Sequence, residues 1–347
     1  MHGAHGNRLR TGVLAVGALV AGAVLLLAVL HSPPGADRRA AYSQQQPGTK
    51  VPFWVDPDGN AARQADALRA KGREDDAELI ERIAAQPVAE WIGGEHREPE
   101  VRNLTTAAAE AGREALLVLY NIPHRDCGQY SKGGAANGAA YRRWLAGVVE
   151  GIGDRPATVV LEPDALPHIV DGCTPPEFHK ERYALLAEAV DRLKELPATK
   201  VYLDAGNPRW ISDPGRLVEP LNRAGIRRAD GFALNISNYQ TTERNTEYGK
   251  ELSRMVGGKP FVIDTSRNGN GPLPGRDNSE GWCNPPGRAL GEPPTTRTGE
   301  ELVDAYLWVK RPGESDGTCK GGPKAGEWWG RYALELAANA GGGNPVE

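Results

Sequence analysis

The chain has 347 residues, enough for one large domain or two ordinary ones. Its hydrophobic share of 39% and charged share of 25% are typical of globular proteins, and its 43 glycines and 27 prolines indicate many tight connections. The formal net charge is only -4 and the Lys and Arg residues are scattered, so the sequence has no electrostatic footprint for nucleic acid. We therefore expect a neutral partner.

The N-terminus has the pattern of an export segment. Arg8 and Arg10 precede an uninterrupted run of apolar residues and glycine from Gly12 to Leu30. Its length lies between that of a signal-peptide core and that of a membrane-spanning helix. Residues 1–31 are therefore predicted to be a signal peptide or an N-terminal membrane anchor, and a buried core helix is a less favoured alternative. Residues 32–50 are predicted to be a disordered tether, and the protein to be secreted or anchored to the outer face of the membrane.

Cysteine usage agrees with export. The four cysteines all lie beyond the tether and none forms a C-x-x-C pair, which argues against metal ligation. Four cysteines allow three pairings. We favour the sequence-local pairing, Cys127 with Cys173 and Cys283 with Cys319, which closes two loops of moderate size.

Short apolar or β-branched runs alternate with segments of helical composition along the rest of the chain. The runs predict strands at residues 87–92, 115–120, 157–162, 200–204, 231–237, 260–264 and 305–310. Helices are predicted between strands, for example at residues 137–151, 176–196 and 214–225. Strand alternating with helix predicts a parallel sheet, and because no second linker or repeat interrupts the chain we expect one α/β domain.

Polar residues end nearly every predicted strand. In a β/α barrel these ends gather at the carboxyl-terminal mouth, where active sites lie. Each residue alone could simply end a strand, but together they predict a carboxylate-rich pocket; they are Tyr120 with Asn121, Glu162 with Asp164, Asp204, Asn235, Asp264 and Lys310. Glycosidic hydrolysis needs such groups, because a protonated carboxylic acid must protonate the leaving oxygen while a second group handles water or the sugar cation.

Other chemistries lack their signatures in this sequence. It contains no H-E-x-x-H, G-x-S-x-G or Walker motif, and no G-x-G-x-x-G after a strand. The seven histidines show no ligand spacing, so we interpret His96, His124 and His168 as ordinary polar residues and predict no metal. Eight tryptophans against four phenylalanines favour sugar binding, because sugars stack on indole rings.

Seven motifs carry a resemblance to a known family: YNIPHRDCG (120–128), VVLEPDAL (159–166), YLDAGNPRW (202–210), NISNY (235–239), IDTSRNGNG (263–271), WCNPPGRALG (282–291) and WVKRPGESDG (308–317). In this order they resemble family 6 of the glycoside hydrolases, the cellulases and cellobiohydrolases. The resemblance implies a distorted seven-stranded parallel β/α barrel, TIM-like, as a single catalytic domain over residues 51–345. It also implies an inverting β-1,4-glucanase without a cofactor, and it agrees with the favoured cysteine pairing.

The resemblance assigns three catalytic carboxylates. Asp164 resembles the general acid. Asp126 resembles the neighbouring carboxylate that keeps Asp164 protonated, because a nearby negative charge raises the pKa of a carboxylic acid. An ion pair between Asp126 and Arg125 or Arg143 is the structural alternative. Asp316 is similar to the residue proposed as the base, which can act through a chain of waters.

The resemblance also implies substrate contacts. Tyr120 resembles the tyrosine beneath the distorted sugar, and Asp204 the carboxylate that organises that site. The remaining predicted substrate-binding residues are the stacking platforms Trp91, Trp210 and Trp282, the hydroxyl ligands Lys310 and Glu314, and the strand-end residue Asn235. Asp264 matches a scaffolding position, and Asn207 stands where the family commonly has His, which bears on substrate preference or turnover.

We expect endo-acting cleavage of cellulose or a related β-1,4-glucan by a monomer that meets a membrane only through its N-terminal segment. Exo-acting members roof the cleft with long insertions, whereas this chain is compact. The alternatives are a cellobiohydrolase of the same family, a retaining hydrolase on an unrelated barrel, and a non-catalytic surface glucan-binding protein. Retention of Asp126, Asp164 and Asp316 together argues against the last.

Overall fold

The computed structural model describes residues 52–96, 98–275 and 281–340. The predicted export segment at residues 1–31 and the tether at residues 32–50 lie outside this range. Within the described ranges, every helix is too short or too polar to span a membrane.

Seven strands form one parallel sheet in chain order. They are β1 (Glu90–Ile92), β2 (Ala115–Leu119), β3 (Ala157–Leu161), β4 (Thr199–Asp204), β5 (Gly231–Leu234), β6 (Phe261–Asp264) and β7 (Val303–Leu307). Each strand pairs with the next, so that Leu117 of β2 lies beside Val159 of β3 and Val159 lies beside Val201 of β4.

The two edge strands of the sheet approach each other without forming a ladder. The Ala89 N–H donates to the Trp308 carbonyl at 3.0 Å, and the Trp91 indole N–H donates to the Val309 carbonyl at 2.9 Å. Arg311 pairs with Glu90 at 3.5 Å on the same side. We call these contacts the seam. They curl the sheet into the predicted distorted seven-stranded parallel β/α barrel, which is thereby confirmed.

Helices connect the first six strands, as the alternating pattern predicts, whereas the described residues between β6 and β7 form no helix. They are α1 (Asn60–Arg69), α2 (Glu74–Ala84), α3 (Glu98–Glu110), α4 (Gly138–Ile152), α5 (Pro167–Val170), α6 (Pro176–Lys194), α7 (Gly215–Arg223), α8 (Thr242–Met255) and α9 (Gly330–Asn339). The three helices predicted by composition correspond to α4, α6 and α7 within two residues at each end. Asn137 caps α4 by accepting from the Ala140 N–H at 2.9 Å.

The strands are buried on both faces, which explains their continuous apolar runs. Alternate residues point to opposite sides of the sheet. Leu117 and Leu119 of β2 join the larger core, which packs against the helices, while Leu116 and Val118 join the barrel interior with Val160. The layers of interior side chains make the barrel a packed core that supports the mouth above it.

Two strands end earlier than their apolar runs predict. After β5, Asn235 and Ser237 have φ angles of 68° and 55°, a left-handed backbone that stops strand pairing. After β7, the N–H groups of Val309 and Lys310 donate to the Asp264 carboxylate at 3.3 and 3.0 Å instead of to a neighbouring strand. In both places, chain that the sequence assigns to a strand becomes part of the mouth.

Both predicted disulfide bonds are confirmed. Cys127 is bonded to Cys173, and Cys283 to Cys319. The first joins the loop after β2 to the loop after β3, and the second joins two segments that flank β7.

Candidate active site

The carboxyl ends of the strands open into a cleft of about 990 Å³. All the predicted catalytic and substrate-binding residues except Asn235 line it: Trp91, Tyr120, Asp126, Asp164, Asp204, Trp210, Trp282, Lys310, Glu314 and Asp316. Residues far apart in the sequence are therefore brought to one site, as the strand-end pattern predicts.

Asn235 lies outside the cleft, contrary to the prediction that it binds substrate. Its side chain is fully buried, and its amide donates to the carbonyls of Gln240 at 3.1 Å and Asp264 at 2.8 Å. A buried amide must satisfy its hydrogen bonds within the protein, and here the turn after β5 provides them. Asn235 thus shapes this turn.

Asp164 occupies the turn that follows β3, with its backbone at φ 69°. The Tyr120 hydroxyl donates to its carboxyl oxygen Oδ2 at 3.2 Å, and the Asp164 N–H donates to the Asp204 carboxylate at 2.8 Å. Burial raises the pKa of Asp164, although the positive charge of His168 opposes this. A carboxyl group that keeps its proton in a cleft can serve as a general acid.

Asp204 shares the environment of the acid. Its second oxygen accepts from the Gly206 N–H at 3.2 Å, and the side chain is almost fully buried. Burial, reinforced by the charge of Asp164, raises the pKa of Asp204 to about 7. The two groups ionise as a pair, so one negative charge at this place disfavours a second.

Asp126 lies on a short 3₁₀ turn in the loop after β2. Oxygen atoms of Asp126 and Asp164 and a ring nitrogen of His168 all lie within 4.8 Å of one another. Burial raises the pKa of Asp126, and the charge of Asp164 adds to the effect. Arg125, the proposed structural partner of Asp126, donates instead to the carbonyls of Tyr120 and Ser131.

His168 is a site residue that the sequence interpretation missed. It lines the cleft, is only 7% exposed, and its ring meets Trp210 edge-on at 4.8 Å between centroids. Burial alone would lower the pKa of His168, but the carboxylates of Asp171, Asp164 and Asp126 outweigh burial and raise it. The available signal was its position four residues after the acid, one helical turn away.

Asp126, Asp164 and His168 could also bind a metal ion, because their ligand atoms lie close enough together to hold one. Metal ligands must be deprotonated. Because the pKa of each of the three groups is raised, each binds a proton more readily than it would in water, and protons compete with a metal ion for these atoms.

Asp316 has the opposite electrostatic environment. Its Oδ2 accepts from Arg267 Nη1 at 2.8 Å, from the Asn284 N–H at 3.0 Å and from the Tyr239 hydroxyl at 3.2 Å. Lys310 Nζ lies 3.5 Å from the other oxygen. Burial alone would raise the pKa of Asp316, but the two cations and the hydrogen bonds lower it. Asp316 is therefore an anion at neutral pH.

Two other strand-end carboxylates serve the scaffold. Glu162 is buried and accepts from the N–H groups of Asn121 at 2.9 Å and Ile122 at 2.8 Å, which fixes the end of β2. Asp264 agrees with the scaffolding role implied by the resemblance, since it is fully buried and accepts from four backbone N–H groups, those of Ser237, Ser266, Val309 and Lys310.

The predicted stacking tryptophans are partly exposed in the cleft. Trp91 meets Tyr120 edge-on at 5.4 Å, and the Trp210 indole N–H donates to Asp171 at 2.8 Å. Asn207, the departure from the family pattern, is buried and accepts from the N–H groups of Arg209 and Trp210, each at 3.1 Å. Asn207 therefore forms the turn that positions Trp210.

The family described as "Glycosyl hydrolases family 6" matches this chain over residues 48–340. Endoglucanase A of Cellulomonas fimi is 47% identical over 83% of this chain, which spans 61% of that protein's length. Endoglucanase 1 of Streptomyces halstedii is 44% identical over 82% of this chain and 87% of its own length.

A solved structure is similar over most of its length. The endoglucanase Cel6 from Mycobacterium tuberculosis, in complex with methyl-cellobiosyl-4-deoxy-4-thio-β-D-cellobioside, superposes with a TM-score of 0.79. It is 45% identical to this chain, and the match covers 84% of this chain and 98% of that one. Fold, site and sequence agree, and the chain belongs to family 6 of the glycosyl hydrolases.

Proposed function

We propose that this protein is an inverting, endo-acting β-1,4-glucanase that hydrolyses cellulose or related β-1,4-glucans. The observation that carries the proposal is that one cleft holds Asp164, whose pKa is raised by burial, and Asp316, whose pKa is lowered by Arg267 and Lys310. Endo action is supported by four relatives named endoglucanases at 42–47% identity, whereas a putative endoglucanase and a probable cellobiohydrolase are each 30% identical.

Asp164 supplies the proton for the leaving oxygen in this mechanism. The Tyr120 hydroxyl holds its side chain and Asp204 holds its backbone N–H, so that the carboxyl group meets the scissile bond in one orientation. The neighbouring Asp126 disfavours the ionised form of the acid. As the glycosidic bond breaks, Asp164 becomes an anion and positive charge develops on the sugar.

Asp316 receives the proton of the attacking water, directly or through further waters. Water attacks the anomeric carbon on the face opposite the leaving group, so the product has the inverted configuration. The hydrogen bonds from Arg267, Asn284 and Tyr239 hold the carboxylate in place. Proton exchange with solvent then restores a protonated Asp164 and an anionic Asp316.

Activity on carboxymethyl cellulose tests the proposal, with viscosity and reducing ends followed together. Endo action lowers viscosity early, when few reducing ends have formed, whereas a cellobiohydrolase releases reducing ends with little loss of viscosity. The same rates measured on mixed-linkage glucan and on xylan show which polymer the enzyme prefers. Binding without hydrolysis by the wild-type protein would favour the non-catalytic alternative.

The anomeric proton of fresh product, observed by NMR, tests the stereochemistry. We expect α-product first, and β-product first would contradict inversion. Asp164→Asn is the matched control, because it keeps the shape of the side chain and removes the proton donor.

We also propose that the protein is exported and acts as a monomer. Export is supported by the apolar N-terminal run and by the two disulfide bonds, which persist in oxidising compartments. N-terminal sequencing of protein from the medium and from membranes distinguishes a cleaved signal from an anchor, and retention in the cytosol would contradict both. The mass obtained by analytical sedimentation tests whether the protein is a monomer, and the mass of a dimer would contradict it.

A further inference from the structure

A buried arginine on α6 donates hydrogen bonds to three separate segments of chain. Arg182 is 3% exposed. Its Nη2 donates to the carbonyls of Pro123 at 3.1 Å and His124 at 2.9 Å. Its Nη1 donates to the Thr174 hydroxyl at 2.6 Å and to the Ala165 carbonyl at 3.3 Å. The planar fork of one guanidinium group thus binds all three segments at once.

Two of these segments carry the carboxylates of the acid site. Pro123 and His124 precede Asp126 in the loop after β2, and Ala165 directly follows Asp164 in the loop after β3. Arg182 therefore lies between the backbones of both loops without contacting either carboxylate through a hydrogen bond. It acts on their relative position.

The bound segments have a backbone that needs such support. His124, Asp126 and Cys127 have φ angles of 58°, 55° and 46°, and Asp164 has a φ angle of 69°. Non-glycine residues in this left-handed region cost about 1 kcal/mol or more each and persist only where their surroundings hold them. The bonds from Arg182 anchor the chain immediately beside these positions.

The charge of Arg182 shows that it does more than fill space. All four hydrogen bonds that Arg182 donates go to uncharged oxygens. The negative charges of Glu162 and Asp164 attract the guanidinium group without a hydrogen bond. An apolar side chain at this position would leave these uncharged oxygens without a donor, which costs about 1 to 3 kcal/mol for each buried group left unsatisfied. A guanidinium group at this position is therefore explained by its planar arrangement of N–H donors, which can bind both loops at once.

We propose that Arg182 is a positioning residue that fixes the spacing of Asp126 from Asp164 by binding the backbones of both loops. The role rests on the proposed glucanase function. A misplacement of about 1 Å in a catalytic group can lower turnover about 100-fold. Displaced loops would therefore impair proton donation more than substrate binding.

Two substrates separate positioning of the acid from general structural support. Cellotetraose has a leaving group that must be protonated, whereas 2,4-dinitrophenyl β-cellotrioside has one that leaves without a proton. For Arg182→Lys, which retains the charge but not the fork, we expect kcat on cellotetraose to fall about 10- to 100-fold with KM within about twofold. On the dinitrophenyl substrate we expect a fall of at most about threefold, as for impaired acid catalysis.

Chemical rescue and a surface arginine complete the experiment. Ethylguanidinium added to Arg182→Ala should restore part of kcat on cellotetraose. Arg192→Ala is the matched control, because Arg192 lies on the same helix, is exposed and pairs with Glu195 at 2.9 Å. It should behave as wild type on both substrates.

Three results would overturn the proposal. They are a kcat of Arg182→Lys within twofold of wild type, equal losses on both substrates, and failure of both Arg182 variants to fold, which would mean a purely structural role. A wild-type protein inactive on cellotetraose would overturn the proposed function itself, and the assay of the wild type identifies that case separately.

Discussion

Replacing Asp126 by Asn removes one negative charge beside the proton donor while keeping the shape of the side chain. Oxygen atoms of Asp126 and Asp164 lie within 4.8 Å of each other. Two unit charges at that distance interact by about 1 kcal/mol under full water screening and by about 3.5 kcal/mol at an effective dielectric constant of about 20. For a partly exposed cleft we expect about 2 kcal/mol, or roughly 1.5 pH units.

The direction in which the pKa of Asp164 changes follows from the negative charge of Asp126. An anionic Asp126 disfavours ionisation of Asp164, so its removal lowers the pKa of Asp164. Activity needs the protonated acid, and the alkaline limb of the kcat/KM profile should move about 1 to 2 pH units toward acid. The acidic limb, which reports a group that must be ionised, should stay in place.

Initial rates on cellotetraose between pH 4 and pH 9 at constant ionic strength measure this displacement. Asp191→Asn is the matched control, because Asp191 is an exposed carboxylate that pairs with Arg228 away from the cleft. An alkaline limb that stays in place or moves to higher pH would refute the assignment of Asp126 as the group that keeps the acid protonated.

Three further variants test other parts of the site and fold. Asp164→Asn should lower kcat on cellotetraose about 10²- to 10⁴-fold with binding nearly intact, and turnover near the wild-type rate would place the acid elsewhere. His168→Asn removes a positive charge beside Asp164, so the alkaline limb should move to higher pH; a shift to lower pH would contradict this. Gly134→Ala should lower the free energy of unfolding in urea by at least about 2 kcal/mol, because Gly134 has φ 91° and a Cβ would lie 1.9 Å from the Ile122 carbonyl; an unchanged urea midpoint would contradict this.

Periodicity was enough to predict the parallel sheet, because parallel strands buried on both faces leave long apolar runs. The family resemblance, and not periodicity, implied that the sheet forms a distorted seven-stranded barrel. The strand-end rule selected four residues that line the cleft, Tyr120, Asp164, Asp204 and Lys310, and four that do not, Asn121, Glu162, Asp264 and Asn235. Among the latter, only Asn235 was predicted to bind substrate. At that position the polar side chain satisfies a turn instead of facing the mouth. A polar residue at a strand end can either face the mouth or satisfy the hydrogen bonds of a turn. Which of the two it does depends on the direction of the turn.

The contributions of His168 and Arg182 depend on packing between segments. The His168 ring reaches the acid because α5 begins immediately after the turn that carries Asp164. Arg182 binds a carbonyl 59 residues earlier in the chain, at Pro123. Arg182 belongs to neither a strand end nor one of the seven motifs, so no local signal distinguishes it from a surface residue, whereas His168 follows Asp164 by one helical turn. Arg267, whose charge stabilises the anion of Asp316, lies in the motif IDTSRNGNG, but the motif does not show that its side chain reaches a carboxylate 49 residues later in the chain.

The seam between β1 and β7 is expected to couple ligand binding to the integrity of the barrel, because residues on both of its sides face the cleft. Trp91 lies on one side of the seam and Lys310 on the other, and both face the cleft. A glucan chain that touches both residues would bridge two edges that no strand ladder joins. Anything that binds the closed barrel more tightly than an opened one must also resist its opening. Occupancy of the cleft should therefore slow hydrogen exchange at the Ala89 amide, which belongs to the seam and does not itself line the cleft.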